Sequence, residues 1–263
     1  MNNIMDSFSL KGKTAVITGG SGLYGRQMVL ALAQAGAKVY TVSRTLESNE
    51  EYAAKLRSEG YEVYAGKMDQ SDDDSIKAFL DTIKEKGDKV DILVNNAVAR
   101  VTKGYDDVAE NFDKSFHINC TGLILVSRAF GDYMAQCGGG SIINIGSYMG
   151  LLGPDYTLYE GTSMTSSMNM AGDYFLHKGG MENYTRFLAS HYGPDNIRCN
   201  VLHLGGFFNN QDPVFVERYS KKTFLGRMAN ETDIMGAIVF LAADASAYLT
   251  GASITLDGGY TAK

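Results

Sequence analysis

The sequence predicts an α/β fold in which helices cover both faces of a doubly wound parallel sheet of about seven strands. Short β-branched runs alternate with longer amphipathic segments, and a glycine-rich loop follows the first of these runs. The chain has 263 residues, and no linker, repeat or low-complexity tract divides it. A chain of this length can bury one large core, so we expect a single domain over 1–263.

The first half of the chain repeats a strand followed by a helix. The strands are predicted over Thr14–Thr18, Lys38–Ser43, Glu62–Lys67 and Val90–Asn95, and the first two helices over Leu23–Ala35 and Glu47–Glu59. Ser71 is the expected N-cap of the third helix, with Asp74 in the capping-box position. This spacing is typical of βαβ units, which build parallel sheets.

The second half continues the same alternation with a longer helix. That helix is expected over Asn111–Ala135, and the three glycines of 138–140 end it. Two more helices are predicted over Asp173–His191 and Asp233–Ala243, and three strands over Ser141–Ile145, Arg198–His203 and Ser253–Leu256. The helices therefore suffice to cover both faces of the sheet.

Composition excludes several classes of function. The net charge is −6 and no basic run occurs, which disfavours a nucleic-acid or anionic-membrane surface. Cys120, Cys137 and Cys199 show neither metal-ligand nor disulfide spacing, so we expect reduced thiols and no metal. The first ten residues lack a long apolar run and no stretch reaches membrane-spanning length, so we expect a cytoplasmic protein.

The loop after the first strand is the first candidate site. It reads Thr18-Gly19-Gly20-Ser21-Gly22-Leu23-Tyr24-Gly25 and leads into a predicted helix. Glycines in this context let the backbone approach a pyrophosphate, which sits on the helix N-terminus. The alternative is a tight turn without a ligand.

The residues after the second and third strands predict the nucleotide end of that site. An acidic residue after the second strand would accept the ribose 2′-hydroxyl of NAD, but Ser43 and Arg44 stand there. A guanidinium beside a hydroxyl suits a 2′-phosphate, which favours NADP over NAD, unless the arginine merely faces solvent. Asp69, after the third strand, either accepts from an adenine amino group or caps the next helix.

Tyr174 and Lys178 are the strongest candidates for chemistry. They are four residues apart, so both side chains lie on one face of the predicted helix. A lysine ammonium stabilises a phenolate, and a phenol so placed can exchange a proton. Ser147, just after the fifth strand, would hold a substrate oxygen unless it is only a turn residue. Asn119, polar within an apolar stretch, either satisfies a backbone group or orients a water in a proton relay.

Together these positions resemble the short-chain dehydrogenase/reductase family in its short branch, whose fold is Rossmann-like. The resemblance extends from 10–13 to 254–259. It implies a catalytic tetrad of Asn119, Ser147, Tyr174 and Lys178, in which the tyrosine is the general acid/base. It implies a cofactor site for NADP, or NAD, lined by Gly19, Ser21, Gly22, Leu23, Tyr24, Gly25, Ser43, Arg44, Asp69, Gln70, Asn96, Ala97, Tyr174, Lys178, Gly205 and Phe207. It also implies a homotetramer, with the helices of 111–135 and 173–191 at one interface.

The glycine spacing departs from the short branch. Gly19, Gly22 and Gly25 form a Gly-x-x-Gly-x-x-Gly pattern, which resembles the longer, sugar-nucleotide-modifying branch. The chain has no room for the substrate domain that this branch adds. The glycine spacing itself motivates one alternative, a redox-neutral sugar epimerase or dehydratase that retains its cofactor. A non-catalytic dinucleotide-binding scaffold is the other.

An inserted loop over about 150–172 separates Ser147 from Tyr174 and is longer than in the family. Its polar residues include Asp155, Tyr156, Tyr159, Glu160 and Thr162, followed by a Ser/Thr/Met-rich run. Such a loop either shapes a site for a polyhydroxylated substrate or is solvated. The segment 159–164 resembles bacterial dehydrogenases linked to flagellin modification, and the whole pattern resembles gluconate 5-dehydrogenases.

These observations favour an oxidoreductase acting on a small molecule. It would transfer a hydride between NADP(H), or NAD(H), and a secondary alcohol or ketone of a sugar, sugar acid or activated sugar. The segment of about 206–228 would form a lid, with Phe207, Phe208 and Phe215 as apolar cover that excludes water.

Overall fold

Seven parallel strands form one sheet in the computed structural model, which describes residues 3–164 and 170–263. In chain order they are β1 (Thr14–Thr18), β2 (Lys38–Ser43), β3 (Val63–Lys67), β4 (Ile92–Asn95), β5 (Gly140–Ser147), β6 (Ile197–Leu204) and β7 (Ser253–Leu256). Their order across the sheet is β3-β2-β1-β4-β5-β6-β7. The direction of winding reverses between β1 and β4, and ligands bind at such a switch point, outside the carboxyl ends of the strands.

Helices cover both faces of the sheet, as predicted. They are α1 (Leu23–Gln34), α2 (Leu46–Ser58), α3 (Asp73–Glu85), α4 (Ala109–Phe116), α5 (Gly122–Gln136), α6 (Asp173–Tyr192), α7 (Pro213–Lys222) and α8 (Met235–Ala242). One buried apolar core joins the sheet to α1, α2 and α8, and a second joins it to α3, α5 and α6. Within the described residues, no helix is long and apolar enough to cross a bilayer.

The predicted cap of α3 is wrong by one residue. Asp72, not Ser71, is the N-cap, and its carboxylate accepts hydrogen bonds from the backbone N–H groups of Asp74 and Ser75. Ser71 instead donates its N–H and its hydroxyl to Asp69. A carboxylate at the N-cap also interacts favourably with the helix dipole, which explains why the aspartate takes this position.

The predicted long helix over 111–135 is interrupted. A π-helical turn over His117–Thr121 separates α4 from α5, and it contains Asn119. Such π turns occur often at functional sites because they turn side chains and carbonyl groups out of the regular ladder. The predicted lid also contains a helix that the sequence reading missed, α7, whose buried side chains are Phe215 and Tyr219.

Candidate active site

The glycine loop is shaped by close backbone packing. Gly19 has φ +67°, and a Cβ on it would lie 3.0 Å from the Cα of Ala97. A Cβ on Gly25 would lie 2.4 Å from the carbonyl oxygen of Gly19, so no larger residue fits there. Gly22 is the N-cap of α1 and offers no side chain to cap the helix. The first N–H groups of α1 are therefore available to an anion such as a pyrophosphate.

Thr18 and Asn96 brace this loop from β1 and β4. The Thr18 hydroxyl accepts from the N–H groups of Asn96 and Ala97, at 3.0 and 2.9 Å. The Asn96 side chain donates to the carbonyl groups of Thr18 and Gly19, at 3.0 and 2.9 Å. Asn96 therefore shapes the predicted cofactor site by holding the loop, and Ala97 fixes how closely Gly19 approaches.

The displaced glycine has no steric cause. Gly22 has φ −72°, which any residue adopts. A Cβ there would lie 3.4 Å from the carbonyl oxygen of Gly19, an ordinary van der Waals contact. Protein packing therefore does not explain the unusual glycine spacing.

Arg44 lies at the end of the predicted cofactor site that would bind the 2′-substituted ribose. Its side chain is exposed, and no carboxylate among residues 3–164 and 170–263 pairs with it. The neighbouring Ser43 hydroxyl already donates to the carbonyl oxygen of Thr45 and accepts from Asn49, both at 2.8 Å. A 2′-phosphate would therefore contact the Arg44 guanidinium, whereas the Ser43 hydroxyl already stabilises the turn after β2.

Asp69 and Gln70 lie where predicted, at the end of β3. One oxygen of the Asp69 carboxylate accepts from the N–H and hydroxyl of Ser71, at 2.9 and 2.7 Å. This turn precedes the Asp72 cap, so Asp69 does not itself cap α3, and its second oxygen has no hydrogen bond among the described residues. Gln70 donates its side-chain amide to the carbonyl oxygen of Ile118, at 3.0 Å, and so ties β3 to the π-helical turn.

Ser147, Tyr174 and Lys178 line one cavity at the carboxyl end of the sheet. Its volume is about 560 Å³, within the range of small-molecule sites. Ser147 is the last residue of β5 rather than a residue after it, and it is 7% exposed. Tyr174 and Lys178 lie in the first turns of α6, which packs against β5 and β6. The tertiary fold thus brings three of the four predicted catalytic residues to one cavity, which Asn119 does not line.

Lys178 is buried beside Tyr174. Its Nζ donates to the carbonyl oxygen of Ile145 at 2.6 Å and lies 5.9 Å from the centroid of the Tyr174 ring. Burial, and then the charge of Arg100, lower the pKa of Lys178 to about 8. The lysine therefore stays a cation at neutral pH but releases its proton more readily than a solvated lysine.

Arg100 is a site residue that the sequence reading missed. Its guanidinium carbon lies 5.3 Å from the centroid of the Tyr174 ring, in the cavity wall. No carboxylate in the described part of the chain pairs with it. The available signal was its place five residues after the end of β4, on the ligand-binding edge of the sheet.

Asn119 satisfies a backbone segment, which is one of its two predicted roles. Its side chain accepts from the N–H of Ala99 and donates to the carbonyl oxygen of the same residue, both at 2.8 Å. It also donates to the Ser115 hydroxyl at 3.2 Å. With Lys178 it lines a second, small cavity of about 10 Å³.

Tyr24, Gly205 and Phe207 form the opposite wall of the large cavity, together with Leu23. The Tyr24 hydroxyl donates to the carbonyl oxygen of Gly205 at 3.1 Å, and its ring meets Phe207 edge-on at 4.9 Å. Burial raises the pKa of Tyr24, so this phenol stays protonated. Phe207 and Phe215, from the segment predicted to form a lid, line the cavity, but Phe208 is 47% exposed and does not line it.

The inserted segment lines the cavity with apolar groups. Tyr159, Met164 and Met170 contribute to the wall. The polar residues at 155, 156, 160 and 162 do not, so the described part of the insertion shapes the cavity mainly through apolar surface. The Ser/Thr-rich residues 165–169 lie outside the described residues.

The polar groups of the insertion instead attach it to α7 and to the residue before it. Asp155 forms an ion pair with Lys222. Arg218 donates to the carbonyl oxygens of Thr157 and Glu160, at 2.9 and 2.6 Å. The N–H and hydroxyl of Ser163 donate to Asp212, both at 2.8 Å. Side chains that dock the segment cannot at the same time face the substrate.

Comparison with known proteins agrees with this geometry. The family model described as enoyl-(acyl carrier protein) reductase matches residues 21–261. A 2-dehydro-3-deoxy-D-gluconate 5-dehydrogenase of Escherichia coli (strain K12) is 31% identical, covering 99% of this chain and 100% of the relative. The post-translational flagellin modification protein A of Campylobacter coli is 29% identical, covering 95% and 99%.

Solved structures share the whole architecture. The structure of a gluconate 5-dehydrogenase from Burkholderia cenocepacia J2315, in complex with NADP and tartrate, aligns with a TM-score of 0.88. The two chains are 26% identical, and the alignment covers 99% of this chain and 100% of the other. The likeness therefore extends over nearly the full length of both chains.

Proposed function

Because the chain belongs to the short-chain dehydrogenase/reductase family, we propose that its large cavity carries out hydride transfer between NADP(H) and a secondary alcohol or ketone of a sugar acid. The protein is an NAD(P)-dependent oxidoreductase, as its relatives are. The substrate class and the preference for NADP are the proposed part.

The residues of the site fit a dinucleotide. The close-packed glycine loop and the uncapped start of α1 would receive the pyrophosphate. Arg44, exposed and without a carboxylate partner among the described residues, would bind a 2′-phosphate. The preference for NADP rests on this arginine, and the Burkholderia relative was solved with NADP.

Three side chains would do the protein's part of the chemistry. The bound nicotinamide supplies or accepts the hydride. In the reductive direction, the Tyr174 hydroxyl gives its proton to the substrate oxygen, and the Lys178 ammonium stabilises the phenolate that remains. The Ser147 hydroxyl donates a hydrogen bond to the same substrate oxygen and so orients it. In the oxidative direction, the phenolate takes the proton back.

Arg100 carries the argument for an acidic substrate. Its guanidinium lines the cavity next to Tyr174, and no described carboxylate neutralises it. A planar guanidinium binds carboxylates through paired hydrogen bonds. Lys103 lines the same cavity and adds positive charge. Two relatives are named for gluconate-type substrates, and one was solved with tartrate, a hydroxy acid.

Steady-state kinetics with sugar acids and neutral polyols tests this proposal. Arg100→Gln should raise KM for the acid about 10- to 100-fold, the loss expected of a hydrogen bond to a charged group. The neutral polyol is the internal control, and its KM should change less than about twofold. Equal effects on both substrates would refute the carboxylate role. Product formation without any change in nicotinamide absorbance would favour the redox-neutral alternative.

We also propose that the chain self-associates through the faces of α5 and α6. Ile124, Leu176 and Phe187 are 46%, 65% and 59% exposed, which is unusual for large apolar side chains on neighbouring helices. The Phe187 ring stacks on Tyr184 and on His191, so the face is also flat. Light scattering during gel filtration measures the mass. Phe187→Glu should shift it towards the monomer, and an unchanged mass would place the interface elsewhere.

A further inference from the structure

His177 is a buried residue that the proposed chemistry does not use. Its side chain is 6% exposed, and neither Nδ1 nor Nε2 has a hydrogen-bond partner among the described residues. Buried polar groups are nearly always paired, so a ring with two unpaired nitrogens calls for an explanation. Within 3–164 and 170–263, three fully buried side-chain nitrogen or oxygen atoms lack a partner, and two of them belong to His177.

His177 lies where two cavities meet. With Tyr174 and Lys178 it lines the large cavity, and with Asn119 and Lys178 it lines the small one. The small cavity measures about 10 Å³, close to what one water molecule needs. Phe116 packs edge-on against the imidazole at 4.7 Å, which fixes the plane of the ring. The ring therefore borders both cavities, which is the placement that a proton relay between them needs.

We propose that His177 passes the proton that Tyr174 exchanges, through a water molecule in the small cavity and the ammonium of Lys178. This rests on the proposed function of Tyr174. In reduction, Tyr174 loses its proton to the substrate oxygen and regains one from Lys178. The lysine is reprotonated by the water, and the water by one nitrogen of His177. The other nitrogen takes up a proton from solvent, so one proton crosses. Tyr174, Lys178 and the water return to their starting states, and the imidazole is left in its other tautomer.

The chemistry of a neutral imidazole suits this step. It carries an N–H on one side and a lone pair on the other, so it gives and takes a proton in one event. Burial lowers the pKa of His177, with Lys178 acting in the same direction and Asp173 opposing them. These are the charged groups that face the ring, and the Asp173 carboxylate already accepts from Thr102 and Ser115. His177 is thus a positioning residue of the proton path, because it touches no reacting atom.

The test compares His177→Ala with the wild-type protein and with Lys178→Met, in ketone reduction at neutral pH. His177→Ala should lower kcat about tenfold or more and leave the NADPH Kd within about twofold. Added imidazole should restore kcat, whereas pyrrole, a ring of the same size without a basic nitrogen, should not. An unchanged kcat, or equal rescue by pyrrole, would overturn the proposal. The solvent deuterium isotope effect on kcat should rise in the variant.

A second variant guards against a folding defect. His177→Asn keeps hydrogen-bonding groups but does not exchange a proton at neutral pH, so it should show the same loss of kcat while still binding NADPH. Wild-type kcat in this variant would overturn the relay. If the wild-type protein bound NADPH but reduced no ketone, the proposed function itself would fail, and the relay with it. If the wild-type protein reduced ketones and both His177 variants kept its kcat, only the relay proposal would be refuted.

Discussion

The glycine loop and the inserted segment face the same cavity but are held in different ways. Close backbone packing holds the loop, with one side chain each from the ends of β1 and β4 as braces: Gly25 packs directly on the carbonyl oxygen of Gly19. Side chains hold the insertion, through the Asp155–Lys222 ion pair and the hydrogen bonds of Arg218 and Asp212. Backbone packing tolerates almost no substitution, whereas side-chain docking can be rebuilt around a new substrate. Changes in the loop should therefore alter folding and cofactor binding, and changes in the insertion should alter substrate selection.

The largest effect is expected in the cavity that the two regions share, at Tyr174. Tyr174→Phe removes the hydroxyl that exchanges the proton but keeps the ring. We expect kcat to fall about 10²- to 10⁴-fold, the usual contribution of a general acid. Fluorescence titration should show NADPH binding within about twofold of wild type. Tyr156→Phe, at an exposed position of the insertion, is the matched control and should keep full activity. Turnover near the wild-type rate in Tyr174→Phe would remove this residue from the chemistry.

Gly25→Ala tests the backbone-built region. The new methyl group would lie 2.4 Å from the carbonyl oxygen of Gly19 and 2.9 Å from two backbone atoms of Gly20, none of which can move away cheaply. We expect a loss of about 1–3 kcal/mol in the free energy of unfolding, together with weak NADPH binding. Thermal unfolding measures the first effect. Gly236→Ala in α8, where a Cβ meets nothing within 4 Å, should leave NADPH binding unchanged and should not lower the free energy of unfolding.

Asp155→Asn tests the region built by side chains. It breaks the ion pair with Lys222. In the wild-type protein that pair lowers the pKa of the Asp155 carboxyl and ties the insertion to α7. We expect a severalfold rise in KM for the substrate and no change in the NADPH Kd, since the cofactor loop is not involved. Glu217→Gln breaks an exposed ion pair on the same helix and is the control. A weaker NADPH affinity in Asp155→Asn would show that the two regions are coupled.

The smallest effect is a pH dependence of cofactor affinity. The pKa of Lys178 is lowered to about 8 by burial and then by Arg100, so the free protein holds the ammonium below that pH and loses it above. An anionic, hydroxyl-rich ligand favours the ammonium and raises its pKa. NADPH affinity should thus stay level from neutral pH to about 8 and then weaken by up to about tenfold per pH unit. Lys178→Met should abolish the dependence, and a slope that persists in it would assign the titration elsewhere.

The sequence alone determined most of the fold. Strand and helix positions follow from local periodicity, which survives in any tertiary context, and the predicted ends of the elements differ from those observed by about two residues at most. The glycine loop and the Tyr174–Lys178 spacing were also readable, because each depends on backbone geometry within a few residues. The cap of α3 was misplaced because Ser71 and Asp72 are both good caps, and local propensity did not decide between them.

The tertiary structure decided which side chains share an environment. Arg100 enters the cavity because the segment after β4 carries its guanidinium over the Tyr174 ring. His177 is buried without a partner among the described residues, and Phe116 at the end of α4 packs against it. The Asp155 carboxylate does not line the cavity because it pairs with Lys222, 67 positions later in the chain. Burial and charge pairing depend on long-range packing, which no local pattern encodes. The sequence therefore indicated a hydride-transfer site. Only tertiary packing decided which charged side chains line the cavity and left the His177 imidazole without a hydrogen-bond partner among the described residues.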